Sequence, residues 1–351
     1  MALVARSLTG PLVVEVKPNA LASLGDILSD RRIVTTGAVV AAIGSGVAAG
    51  VRDLVETAVP GAPIFEVDGG SLAAARALAD ALRGRRPDAL VGIGVGGSLD
   101  VAKWAATAIG VPFVSVATTL THDGLASPVA VLEEDGFKGS YGVQPPIAVV
   151  VDLDLVRSAP PSHTRSGVGE AVSNLSAVAD WVLARERVAE PYDGLAAAMA
   201  MTAALSVLNE QRPVTDDLFL GTLADALVVS GLAMTAAGTS RPCSGACHEI
   251  SHAIDHLFPG TALHGEQVAV GALFASFLRG DERTLEIDAC FRRHGVPRLP
   301  ADLGMDAAGF VAAVVAAPAT RPGRYTILEH LAMDIATITE QVDAFIETFD
   351  R

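Results

Sequence analysis

The chain has 351 residues, half of them hydrophobic, and a formal net charge of −15. That length allows two domains with sizeable cores, and the apolar share excludes a disordered chain. The acidic residues are spread without long runs, and such a balance argues against nucleic acid or an anionic membrane surface as partner, since either would be repelled.

The first 155 residues alternate between short apolar runs and helical patterns. LVVEV (12–16), RIVTTG (32–37), PIFEV (63–67), ALVGIGV (89–95), PFVSVAT (112–118) and PIAVVVDLD (146–154) read as buried strands, rich in valine and isoleucine and closed by turn residues. Amphipathic stretches such as SLAAARALADALRGRR (71–86) lie between them, which predicts a parallel sheet covered by helices. No basic-then-apolar leader opens the chain. The longest uncharged stretches, 33–51 and 104–121, are broken by glycines and by Pro112, so neither reads as a membrane span. Three cysteines, Cys243, Cys247 and Cys290, are too few for a disulfide framework. A cytoplasmic protein is expected, and a homo-oligomer.

One loop in this half stands out. GIGVGGSLDVAKWAA (92–106) follows the strand at 89–95 directly. Gly94, Gly96 and Gly97 would let the backbone approach a phosphate, and Ser98 is placed to cap the helix that follows, whose N-terminus offers unpaired N–H groups. The same glycines would also serve a plain strand-to-helix turn, and the spacing departs from GxGxxG. The segment RIVTTG ends in Gly37, where an acid would select NAD through the ribose hydroxyls, so NAD and NADP both stay open.

After Asp154 the character changes. RSAPPSHTRSG (157–167), with consecutive prolines, reads as a linker. Beyond it the signal is almost wholly helical: GEAVSNLSAVADWVLARE (169–186), DGLAAAMAMTAALSVLNE (193–210), LADALVVSGLAMTAAG (223–238), HEISHAIDHL (248–257) and MDIATITEQVDAFIETF (333–349). The expected organisation is an α/β N-terminal domain, residues 1–155, then an all-α domain, residues 156–351.

Half of the eight histidines, His248, His252, His256 and His264, fall within seventeen residues. His248 and His252 are four apart and share a helix face. Imidazoles converging from a helix and the following turn suit zinc or iron. The third ligand must come from elsewhere, and Glu170, after GVG at a helix start, is the candidate. Three competing readings stand beside this one. His256 points away; His252 only hydrogen-bonds within the pocket; or Cys243, Cys247, His248 and His252 form a zinc site of their own, although Cys247 and His248 are adjacent and diverge.

ATTLTHDGLASPVAVL (117–132), GVGGSLDVAK (94–103), SGVGEAVSNLSAVADW (166–181), SRPCSGACHEISHAIDH (240–256) and ALHGEQVAVG (262–271) together resemble the sn-glycerol-1-phosphate dehydrogenase family, within the iron-containing alcohol dehydrogenase and dehydroquinate synthase superfamily. The resemblance implies a dinucleotide-binding α/β domain, a helical domain and an active site in the cleft between. It places the pyrophosphate on Gly94, Gly96, Gly97 and Ser98, with Asp100 and Lys103 in the helix behind. It sets Thr118, Thr119, Thr121 and Ser127 near the nicotinamide side and Asp123 close to cofactor and substrate. It makes His248 and His264 metal ligands and His252 an active-site residue that does not bind the metal, so the catalytic pair is Asp123 and His252. Asn174, one turn after Glu170, would face the same cleft. Implied partners are NAD or NADP, one divalent metal (zinc foremost, then iron or nickel) and a small phosphorylated ketone or polyol.

One departure bears on activity. The family pattern GxGD becomes Gly169-Glu170 here. A glutamate at the equivalent position is the habit of the dehydroquinate-synthase branch, whose sugar-phosphate cyclases use NAD catalytically as lyases. Those cyclases surround substrate with several lysines, and this chain has only Lys17, Lys103 and Lys138. Arginine can clamp phosphate but not act as an acid or base. The expected reaction is therefore reduction of dihydroxyacetone phosphate to sn-glycerol 1-phosphate, with the cyclase as alternative and Arg241 a candidate for the phosphate.

Overall fold

The computed structural model describes residues 9–47 and 50–350. The first half runs β1 (Val13–Lys17), α1 (Leu24–Leu28), β2 (Val39–Gly44), α2 (Val51–Ala58), β3 (Ile64–Val67), α3 (Leu72–Arg83), β4 (Ala89–Gly94), α4 (Gly96–Ile109), β5 (Phe113–Ala117), the β6–β7 hairpin (Val129–Glu134, Phe137–Gly142) and β8 (Ala148–Asp152). Six strands form one parallel sheet in the order β1-β8-β5-β4-β2-β3. Ala89, Val91 and Ile93 of β4 face a core shared with Leu24, Ile27, Val51 and Val55 of α1 and α2. Gly92, between them in sequence, faces Ala102 of α4 instead. Successive side chains alternate across a strand, so α2 and α4 cover opposite faces. They follow the neighbouring strands β2 and β4, which makes the carboxyl ends of these strands a topological switch point, the place where open α/β sheets bind ligands.

The helical half continues with α5 (Leu153–Ser158), α6 (Pro161–Val188), α7 (Gly194–Leu208), α8 (Asp217–Ala237), α9 (Ala246–Leu257), α10 (His264–Arg279), α11 (Thr284–His294), α12 (Ala307–Thr320), α13 (Ile327–Leu331) and α14 (Ile335–Phe349). Phe274, Phe277, Phe310, Phe345 and Phe349 stack edge-on or tilted in its core. The chain falls into two compact units. One gathers residues up to Thr119, then Gly124–Val156 and Gly231–Thr239; the other holds Leu120–Asp123, Arg157–Ser230 and Ser240–Arg351.

Two expectations fail locally, and one element was not expected. The segment 32–37 is no strand; Asp88 accepts the backbone N–H groups of Thr35 (3.1 Å), Thr36 (2.5 Å) and Gly37 (3.0 Å) and folds it into a turn. The strand is the following VVAAIG, all buried, which uniform hydrophobicity had hidden among small residues. It ends at Gly44 and so still presents no acid to a ribose. The expected linker is also absent as such: Pro161 opens α6 at a position where a missing N–H costs nothing, and only Ala159 and Pro160 separate α5 from α6. The hairpin was not anticipated, although Asp135-Gly136, with φ of 55° and 82°, is the sequence signal for its tight turn. Helix α8 is long and apolar enough to cross a membrane, but most of it is buried inside the protein, as in the core helix of a folded domain.

Candidate metal and cofactor sites

Glu170 sits on α6, His248 on α9 and His264 at the first position of α10. Each brings one ligand atom to within 4.8 Å of the others. His248 Nε2 lies 3.8 Å from Glu170 Oε1, and His264 Nε2 lies 3.9 Å from Glu170 Oε2.

Glycines explain why three helices reach one point. A Cβ on Gly169 would strike the Gly265 carbonyl and come within 2.8 Å of Ala269 Cβ; a Cβ on Gly265 would strike the Ser166 carbonyl and lie 2.7 Å from its Oγ. Helices α6 and α10 thus touch backbone to backbone, and the residues next to these glycines are Glu170 and His264. The Gly265 N–H also donates to Ser166 Oγ at 3.1 Å. A Cβ on Gly271 would lie 2.8 Å from the Cys247 carbonyl, so α9 closes on α10 beside His248. Buried Asp180 fixes the start of α9 by accepting the Ala246 N–H at 2.8 Å, while Arg279 Nη1 balances its charge at 2.7 Å.

Two of the three donors are ready for a cation; burial would lower the pKa of the third, His248, but Cys247 and Glu170 outweigh it and hold it at about 10, so a metal there would displace its proton. Glu170 Oε2 is buried with no hydrogen-bond partner, an arrangement that is expensive for a carboxylate unless something positive completes it. Burial would raise its pKa, but His248, His264 and His122 outweigh that and hold it at about 2. Burial and the neighbouring His248 and His122 draw His264 down to about 4 against the pull of Glu170. His264 is therefore neutral at pH 7 with an available lone pair. Ser251 Oγ donates to Gln267 Oε1 at 2.7 Å and lies 3.0 Å from His264 Nδ1. The hydroxyl thus accepts the Nδ1 proton, which leaves Nε2 to face the carboxylate. A carboxylate and two imidazoles suit zinc or iron, so the residues fit a divalent metal.

The remaining histidines separate clearly. His252 is one turn beyond His248, with ring centroids 6.4 Å from His248 and 6.1 Å from His264, and its Nε2 lies 3.5 Å from Arg321 Nη2. His256 is exposed. Among the described residues, the cysteines join no ligand group: Cys247 Sγ sits 3.3 Å from His248 Nδ1, on the side away from the carboxylate. Asp123 is nearly buried in a short turn (Asp123–Leu125). Asn174 does not face the ligands; its amide donates to Ser230 Oγ (2.8 Å) and the Ala200 carbonyl (3.4 Å). Ser251 and Gln267, which orient His264, carried no sequence signal beyond their helical spacing.

At the switch point of the sheet, α4 begins at Gly96 with Val95 as its cap residue and no side-chain cap. Ser98 is inside the first turn rather than at the cap, so the leading N–H groups stay available to an anion. Gly94 has φ of 151°, open to glycine alone among common residues. Gly97 meets Gly70 Cα at 3.4 Å from its would-be Cβ, so its smallness is required by the chain's own packing. Asp100 is buried beneath the loop, accepting the Val131 N–H at 3.0 Å and lying 3.1 Å from Lys103 Nζ. Lys103, fully buried, donates to the Gly124 (2.7 Å) and Ser127 (3.3 Å) carbonyls and staples that segment. Thr118 and Thr119 follow β5 and are buried, with Thr119 Oγ1 lacking any partner; Ser127 Oγ donates to the Val129 carbonyl at 3.3 Å.

The parallel sheet and helical second half are those of iron-containing alcohol dehydrogenases, whose family model matches residues 15–160. The solved structure of a probable glycerol dehydrogenase from Sinorhizobium meliloti 1021 superposes with a TM-score of 0.76 over 99% of both chains at 21% identity. An iron-containing alcohol dehydrogenase from Corynebacterium glutamicum gives 0.72 over 98% of this chain and 97% of its own, at 18% identity. Sequence relatives are nearer. Glycerol-1-phosphate dehydrogenase [NAD(P)+] of Cenarchaeum symbiosum is 38% identical over 255 residues, 72% of each chain. That of Pyrococcus furiosus is 39% identical over 240 residues, 68% of this chain and 69% of its own. The chain belongs to the glycerol-1-phosphate dehydrogenase family.

Proposed function

We propose that this protein reduces dihydroxyacetone phosphate to sn-glycerol 1-phosphate with NADH or NADPH, using one divalent metal, assigned as zinc, on Glu170, His248 and His264. The observation carrying the reading is the orphaned Glu170 carboxylate facing two imidazole Nε2 atoms in a chain of this family. The cyclase alternative is not favoured, since these relatives are dehydrogenases by name.

When bound, the metal supplies Lewis acidity toward the substrate carbonyl and the nicotinamide supplies the hydride. The chain's residues do the rest. Ser251 and Gln267 keep His264 in one tautomer. The uncapped first turn of α4 (Gly96, Gly97 and Ser98), reached through Gly94, offers N–H donors to a pyrophosphate, and Asp100 ties the same helix to Val131 of β6. Thr118, Thr119, Thr121 and Ser127 line the nicotinamide side, and the buried Thr119 hydroxyl is a spare donor for a carboxamide. Arg321 only donates, so His252 Nε2 accepts and the His252 proton sits on Nδ1; that proton, or one relayed by Asp123, completes the product hydroxyl. The buried free cysteines support a reducing, cytoplasmic setting.

The test is incubation of purified, metal-loaded protein with NADH or NADPH and a panel of ketone phosphates. Stoichiometric oxidation of the cofactor with dihydroxyacetone phosphate is expected. A metal-loaded protein that binds nicotinamide but never oxidises it in net terms would overturn the dehydrogenase reading, because a cyclase regenerates its NAD at each turnover.

A further inference from the structure

The sequence offered Arg241 for the phosphate, but the structure commits that side chain elsewhere. Buried Arg241 grips Glu190 with Nε (2.6 Å) and Nη2, and Nη2 also donates to the Tyr325 carbonyl at 2.9 Å. Two other guanidinium groups lie beside it. Arg321 ends α12, and Arg324 lies three residues on in the turn before α13. Both reach the same hydroxyl: Arg324 Nη2 donates to Ser240 Oγ at 2.9 Å and Arg321 Nη1 lies 3.4 Å from it. Arg324 Nη1 donates to the Ser244 carbonyl. Both arginines are half-buried, and among the described residues no carboxylate lies within ion-pair distance of Arg324. Ser244 is 3% exposed, and its buried Oγ has no hydrogen-bond partner among the described residues.

We infer that Arg321 and Arg324, with the Ser240 and Ser244 hydroxyls, form the subsite for the phosphate dianion of the substrate, and that Arg241 is a positioning residue that holds the 321–325 turn through its bond to Tyr325. The inference rests on the function proposed above and adds to it the residues that select a phosphorylated ketone over a neutral one.

Distance and charge both fit. Arg321 touches His252, whose ring is one helical turn from the ligand His248 and 6.1 Å from the ring of His264. A three-carbon ketone phosphate spans about 5 Å from carbonyl oxygen to phosphorus by ordinary bond lengths, so a carbonyl at the triad sets the phosphate beside His252 and onto Arg321. Two forked guanidiniums with flanking hydroxyls match the several acceptor oxygens of a phosphate better than a lone hydroxyl or carbonyl. The crowding also calls for an anion: burial first, then Arg321 and Arg241, draw Arg324 down to about 10. Glu249 and Glu190 offset part of this but leave the Arg324 pKa lowered, and guanidiniums held this close gain from a doubly charged ligand.

The experiment uses metal-loaded enzyme and the variants Arg321→Met, Arg321→Lys and Arg321→Gln. Expected for Arg321→Met is a rise of about ten- to a hundred-fold in the KM for dihydroxyacetone phosphate, the loss of one charge-assisted contact. A parallel rise in the inhibition constant of inorganic phosphate is expected, with partial recovery of both in Arg321→Lys. A merely structural arginine would lower kcat and thermal stability without moving the phosphate constant. Unchanged KM and phosphate inhibition in a folded Arg321→Met, or in a folded Arg321→Gln should the methionine variant not fold, would overturn the subsite. If the wild type does not reduce dihydroxyacetone phosphate, the proposed reaction fails, and the subsite is read from inorganic phosphate alone. It stands if phosphate raises the melting temperature of the wild type and not of the Arg321 variant, and falls if it raises both equally or neither.

Discussion

At the scale of single residues, the feature with most chemical content is a carboxylate oxygen with nothing to bond. Glu170 Oε2 is buried without a partner, and the imidazoles facing it are turned by groups one layer further out. That layer makes a prediction. Ser251→Ala removes the acceptor of the His264 Nδ1 proton while leaving every ligand in place, so metal affinity should fall by about ten-fold or more, with turnover restored at high metal concentration. His264→Ala, by contrast, should lose metal and turnover together at any concentration. Metal titration monitored by activity separates the two, and a Ser251→Ala affinity equal to wild type would remove the orienting role. The three residues that converge were legible as candidate ligands: a run of histidines in a histidine-poor chain, a glutamate after GVG, and a family resemblance to order them. Ser251, Gln267, Arg321 and Arg324 were not, because a serine on a helix and arginines in a Pro-Gly turn look like ordinary surface residues until the fold packs them.

Among elements, the strands rich in β-branched residues and closed by turns were read correctly, and β2 was displaced. Its sequence, VVAAIG, is half small residues, and the neighbouring RIVTTG has the stronger strand composition; Asp88, fifty residues away, decides between them by capping the turn. No local pattern carries that information. The crossing of α6 and α10 was equally hidden, since it depends on two glycines 96 positions apart, Gly169 and Gly265. It yields a clear expectation. Gly265→Ala must push the helices apart or bend one of them, at a cost of about 1–3 kcal/mol for overpacking, and the displaced residues adjoin two ligands. Chemical denaturation should show the lost stability and metal analysis a substoichiometric site. Wild-type values for both would show that the seam has slack.

For the whole molecule, the three candidate ligands, on α6, α9 and α10, all lie in the helical unit. A cation that binds only the folded state adds RT ln(1 + [metal]/Kd), about 2.7 kcal/mol at a hundred times Kd. In a unit of this size chelation should therefore lower the melting temperature by roughly 5–10 °C. Differential scanning calorimetry with and without chelator checks this, and readdition of metal should reverse it. A transition insensitive to chelator would mean that the acid and imidazoles close on each other unaided.

The backbone contact between α6 and α10 also limits what the site can hold. Helices spaced by side chains can drift apart to admit a wider ion; helices resting on each other's carbonyl groups cannot. Any difference in ionic radius must be absorbed by the torsions of three side chains, and the longest and most adjustable of the three is Glu170. Where the family pattern has aspartate, this chain has one more rotatable bond, and with it a wider choice of cation on an unyielding frame.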